Sequence, residues 1–74
     1  MNPTQSKMAR AALGWSVSDL ADASGVGRAT VARFELGQKV QPEGIEKMRA
    51  ALVKEGVGFT NGGKRAGVSY LRRD

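Results

Sequence analysis

Arg28 and Arg33 stand five positions apart with Ala29 and Ala32 between them, and on a helix these four residues share one face. Each guanidinium is a planar fork of N–H donors, suited to paired acceptors on an anionic or hydrogen-bonding partner. The methyls between the two forks are low enough to let such a partner approach and offer it apolar contact. Basic residues are in surplus throughout, with 12 Lys and Arg against 7 Asp and Glu and a formal net charge of +5. A surplus of that size directs attention to polyanions, nucleic acid first and anionic lipid second. Taken alone, two arginines on a helix also fit a merely solvated basic face, so the elements that carry them decide.

Other chemistry is limited by the residue types that are missing. The sequence has no Cys and no His, which excludes disulfide scaffolds, thiolate zinc sites, cysteine nucleophiles and histidine-based triads. The carboxylates are not concentrated, so no catalytic constellation can be assembled, and neither enzymatic activity nor a metal or cofactor is expected. The segment Gly58 to Lys64 fits the G-x-x-x-x-G-K part of a phosphate-binding loop. Arg65 stands where the magnesium-binding Ser or Thr belongs, however, and no helix pattern follows. The longest apolar run, Ala50 to Val53, is far short of the roughly 20 residues a bilayer span needs. Lys7 and Arg10 interrupt any signal-peptide core. A single small, soluble, cytoplasmic domain with no membrane partner is expected, its core marginal for a chain of 74 residues.

The elements follow from local signals. Asn2, Pro3 and Gln5 combine a capping residue, a first-turn proline and the third member of a capping box, which predicts a helix over Pro3 to Leu13 ended by Gly14. Ser16 and Asp19 repeat that signature before a short helix, Val17 to Ser24, that stops at Gly25. Three residues later a third helix is predicted from Arg28 to Leu36, closed by Gly37. It turns Val31, Phe34 and Glu35 to one face and the arginines to the other. A fourth runs from Pro42 and ends at Gly56, with Ile45, Met48, Leu52 and Val53 as its apolar stripe and Glu43 paired with Lys47. The period then changes to two. Val57 and Phe59, then Val68 and Tyr70, alternate with small or polar residues around Asn61, Gly62 and Gly63, which predicts a β-hairpin. The fold class is therefore mainly α, four helices with a C-terminal β-hairpin, divided into residues 1–56 and 57–74.

Two short helices joined by three residues, the second with a basic outer face, read as a helix-turn-helix. Ala21 is small where the next helix crosses it, Gly25 suits the tight turn, and Leu20, Val26, Val31 and Phe34 fill the angle between the helices. The stretch from Arg10 to Gly37, RAALGWSVSDLADASGVGRATVARFELG, resembles the signature of the lambda-repressor-like, or Cro/cI-like, regulators. The likeness covers about residues 5–56. It implies a DNA-binding transcriptional regulator, repressor or controller, whose third helix enters the major groove of double-stranded DNA. Carried over by position, Arg28, Ala29 and Arg33 would face base edges, while Ser16, Thr30, Gln38 and Lys39 would meet phosphates. Arg suits guanine O6 and N7, an Ala methyl suits the thymine methyl, and helix N-termini suit anions. The resemblance also implies a structural Arg10–Glu35 salt bridge, in keeping with the inward face that Glu35 shares with Val31 and Phe34. Trp15 is expected to be a hydrophobic anchor.

Two residues depart from the family pattern. Val17 stands where a phosphate-clamping Gln is usual, and Gly27 replaces the Ser or Thr cap of the recognition helix. The hairpin stands where many members carry a fifth helix. A lone hairpin is marginal in water, so Val57, Phe59, Val68, Tyr70 and Leu71 are expected to form a homodimer interface, with a palindromic operator as the counterpart. The competing reading is an antitoxin-type interaction module that binds an unidentified protein partner as well as its own promoter. Peripheral membrane binding is disfavoured because the fourth helix mixes Glu43, Glu46 and Glu55 among its bases.

Overall fold

The computed structural model describes residues 1–62 and 65–70. The chain folds as α1 (Pro3–Leu13), α2 (Val17–Ser24), α3 (Arg28–Glu35), α4 (Pro42–Lys54), β1 (Val57–Gly62) and β2 (Arg65–Tyr70), the strands forming one antiparallel hairpin. The mainly-α class with four helices and a C-terminal hairpin is as expected. Both capping boxes form: the side chains of Asn2 and Ser16 accept from the N–H groups of Gln5 and Asp19, whose side chains accept from the caps in return. Gly25 ends α2 at φ +76°, a left-handed conformation in which its N–H reaches Ala21 O and the chain turns at once toward α3.

Two helix ends differ from expectation. α3 closes at Glu35 with Leu36 as its cap, and α4 closes at Lys54 with Glu55 as its cap. In both places the final N–H also bonds a carbonyl only three residues back, which tightens the last turn and stops the helix earlier.

The core lies between α2, α3 and α4, roofed by α1 and by the first residue of the hairpin. Leu20, Val31, Met48 and Leu52 are completely enclosed, each worth roughly 1.5–3 kcal/mol relative to exposure. Ala21 is buried where α2 meets its neighbours, as its size requires, and Trp15 packs half-buried against the rim. Val53 does not join the core: one residue past Leu52 it is turned by about 100° around the helix and is 46% exposed. Nor do Glu43 and Lys47 pair. Among the described residues the ion pair on α4 is Glu46–Arg49 at 3.8 Å, exposed on both sides and energetically minor.

The hairpin register sets Val57 opposite Tyr70 and Phe59 opposite Val68, so all four lie on one face. That face meets the helical body: Val57 is buried, Phe59 and Val68 are half-buried against the core, and Tyr70 remains 36% exposed. Leu71, and Gly63 of the expected turn, lie outside the described residues. The opposite face alternates glycine with hydroxyls. A Cβ on Gly58 would stand 2.7 Å from Ser69 Oγ, and one on Gly67 3.1 Å from Thr60 Oγ1. The hairpin is tied to α1 by Gln5, which is 1% exposed. Its Oε1 accepts from the Asn2 N–H at 2.8 Å, while its Nε2 donates to the carbonyls of Thr60 and Gly67, each at 3.1 Å. Those two residues face each other across the strands, so one amide caps a helix and grips both strands.

Candidate nucleic-acid interface

Val31, Phe34 and Glu35 are buried on the inner side of α3, which forces Arg28, Ala29 and Arg33 outward, where all three are exposed. Gly27 caps the helix with extended backbone and no side-chain hydrogen bond, which leaves the first N–H groups of α3 facing out. Ser24 stiffens the preceding turn. Its hydroxyl donates to Leu20 O at 2.7 Å and accepts from the Val26 N–H at 3.2 Å.

Both outward arginines touch hydroxyls. Arg28 Nη1 donates to Ser18 Oγ on α2 at 3.4 Å, and Arg33 Nη2 donates to Thr30 Oγ1 at 3.3 Å. Beyond Arg33 the surface opens into a cleft of about 480 Å³ between α3 and the loop that leads into α4. It is lined by Thr30, Arg33, Lys39, Val40, Gln41 and Pro42. The structure thus brings Thr30, Arg33 and Lys39 to one concavity, with Arg28 and Ala29 on the same helix. Gln38 is exposed on the loop but does not line the cleft. Ser16 stands at the start of α2, its hydroxyl engaged by the Asp19 N–H at 3.0 Å.

Behind this surface, Arg10 and Glu35 form a bidentate pair, Nη2–Oε1 at 2.6 Å and Nε–Oε2 at 2.8 Å. Ser6 donates to the same carboxylate at 2.7 Å, and Arg10 Nη1 donates to Trp15 O at 3.1 Å. The cluster binds α1 to the C-terminal end of α3 and to the start of the helix-turn-helix. Burial pushes the Glu35 carboxyl up, but the hydrogen bonds from Arg10 and Ser6, with the charges of Arg10 and Lys7, outweigh it and hold the group below the usual carboxylate range. Arg10 is raised by its hydrogen bond to Glu35, against the opposing effect of burial.

Sequence reasoning missed Gln5 as a hairpin anchor, Ser6 as a third member of the ion pair, and Ser18 as the partner of Arg28. For Ser6 a signal existed: it lies one turn before Arg10 on the same helical face. For Ser18 none did, because its contact crosses between helices.

Among the described residues no helix is long and apolar enough to cross a membrane. No curated protein matches the chain. The helix-turn-helix family model matches residues 7–52, from the second turn of α1 through most of α4, and so contains both the outward face of α3 and the pair that secures it. With the motif's geometry and the family's match over more than half its length, the chain belongs to the Cro/cI-like helix-turn-helix family of DNA-binding transcriptional regulators.

Proposed function

We propose that the protein is a sequence-specific repressor or controller that reads the major groove as a homodimer on a palindromic operator. The observation that carries this reading is the outward face of α3. Its opposite side is committed to the core, so two arginines and a methyl are held outward beside a cationic cleft. Arg28 and Arg33 read guanine edges, and Ala29 meets a thymine methyl. Thr30, Lys39 and Gln38 contact phosphates on one side of the groove, and the Ser16 end of α2 does so on the other. Val17 offers no side-chain donor at the start of α2, which places more of the affinity on Arg28, Arg33 and Lys39.

Residues 1–56 form the reading head and residues 57–74 the dimerising hairpin. Val57, Phe59 and Val68 hold the hairpin to its own domain, and Tyr70, Leu71 and the open strand edges meet the second copy. Half-sites then lie about one helical turn, roughly 34 Å, or a multiple of it apart.

Selection of bound fragments from random DNA, followed by titration, tests the reading. A recovered site with two-fold symmetry is expected, with log K falling at a slope near −5 against log salt for about six phosphates per dimer. Arg33→Ala is expected to lose about 1–3 kcal/mol and to relax preference at one base pair per half-site. An Arg33→Ala protein with unchanged affinity and preference removes the major-groove assignment.

A further inference from the structure

We infer that Ser18 and Thr30 are positioning residues that hold Arg28 and Arg33 in their reading poses before DNA arrives, an inference that rests on the function proposed above. The two arginines are the cations on the outer face of α3, and each donates one N–H to a hydroxyl, Arg28 to Ser18 and Arg33 to Thr30. A guanidinium has five N–H donors, so one bond to a hydroxyl leaves enough for a bidentate grip on guanine. A free arginine side chain must give up rotamer freedom when it docks; one already held gives up less.

The two supports differ in kind. Ser18 belongs to α2, so the pose of Arg28 depends on how α2 and α3 sit against each other. Thr30 lies one turn before Arg33 on the same helix. Its methyl lies toward α4, 3.8 Å from where a Cβ on Gly44 would stand, while its oxygen accepts from Arg33. A β-branched side chain on a helix has few χ1 rotamers open to it. Thr30 therefore does more than offer a hydroxyl to a phosphate, because it fixes the direction from which Arg33 reaches the base.

The experiment uses the full chain and two duplexes, the selected site and the same site changed at the base pair that Arg33 reads. Thr30→Val keeps the shape and removes the acceptor. Beyond the phosphate contact, whose loss lowers affinity for both duplexes alike, it is expected to weaken binding to the selected site by a further factor of about three to ten, so that the ratio of the two affinities falls. In an Arg33→Ala background the same substitution is expected to leave that ratio unchanged. Thr30→Ser restores the oxygen and is expected to restore discrimination. Ser18→Ala is expected to behave in the same way toward Arg28→Ala. A ratio of affinities that Thr30→Val leaves unchanged, or that falls as far in the Arg33→Ala background, would overturn the inference while leaving DNA recognition in place. A wild-type chain that selects no sequence would overturn the functional reading and this inference with it.

Discussion

Glu35 receives three hydrogen bonds in a buried site, two from Arg10 and one from Ser6, and its ionised form is the one that folding favours. Since its pKa is lower in the folded chain than in the unfolded one, its contribution is complete above the ordinary carboxylate pKa of about 4.3 and disappears as pH falls through the lowered folded value. Thermal unfolding followed from neutral to acid pH is therefore expected to show a decline below about pH 4 that Glu35→Gln flattens. At neutral pH the same variant strands the Arg10 charge. Because the Arg10 side chain keeps 19% exposure, the loss is expected at the lower end of the roughly 3–5 kcal/mol seen for fully buried pairs. A variant whose melting temperature tracks the wild type at every pH would show that the pair contributes nothing to folding.

At the scale of elements, α1 connects the rest of the fold: Gln5 grips the hairpin and the next residue, Ser6, grips α3. Gln5→Glu separates the two duties of that side chain. A carboxylate still completes the capping box, but it cannot donate to the Thr60 and Gly67 carbonyls. Helix content is expected to survive, while hairpin amides exchange faster by an amount equivalent to about 1–3 kcal/mol; unchanged hairpin protection would mean that apolar contact alone docks the strands. Glycines give a second, opposed pair of expectations. Gly44→Ala, in the first turn of α4, places its methyl at ordinary contact distance from Thr30 and Val26, and should raise stability by about 0.5 kcal/mol. Gly25→Ala meets no neighbour but must hold φ +76°, and should lower stability by about 1–2 kcal/mol; calorimetry reads both. The same contrast explains what was legible beforehand. The starts of α1 and α2 and the stops at Gly14 and Gly25 could be read because caps and turns act within four residues. The outward set on α3 could be read because one helix face was plainly apolar. Val53 looked like core because periodicity does not reveal where a stripe ends. Gln5 and Ser18 act across 55 and 10 residues of chain, distances over which local pattern carries no information, whereas Ser6, acting across 29, could be traced only through Arg10 one turn later.

For the whole molecule, charge is unevenly distributed. Lys64, Arg65, Arg72 and Arg73 stand against Asp74 alone in the last 18 residues, so this quarter of the chain holds +3 of the net +5. A dimer built through these segments brings like charges together, and screening relieves that repulsion. Self-association is therefore expected to strengthen with salt while DNA binding weakens. Tyr70→Ser is expected to shift the chain toward monomer with its helix content intact, measured by light scattering; a variant that remains dimeric removes the hairpin from the interface. The hydrogen bonds of Gln5 bear also on how the protein comes into being. That residue leaves the ribosome long before Thr60 and Gly67, 55 and 62 positions later. The elements α3 and α4 that pack on α1 emerge sooner, so the helices can collapse while the Gln5 amide is still bonded to water. Pairings across such separations form late and slowly. Nascent chains long enough to contain α3 thus present its outward face before the hairpin closes over α1, and any dimer that needs the hairpin waits until residues 57–70 have emerged.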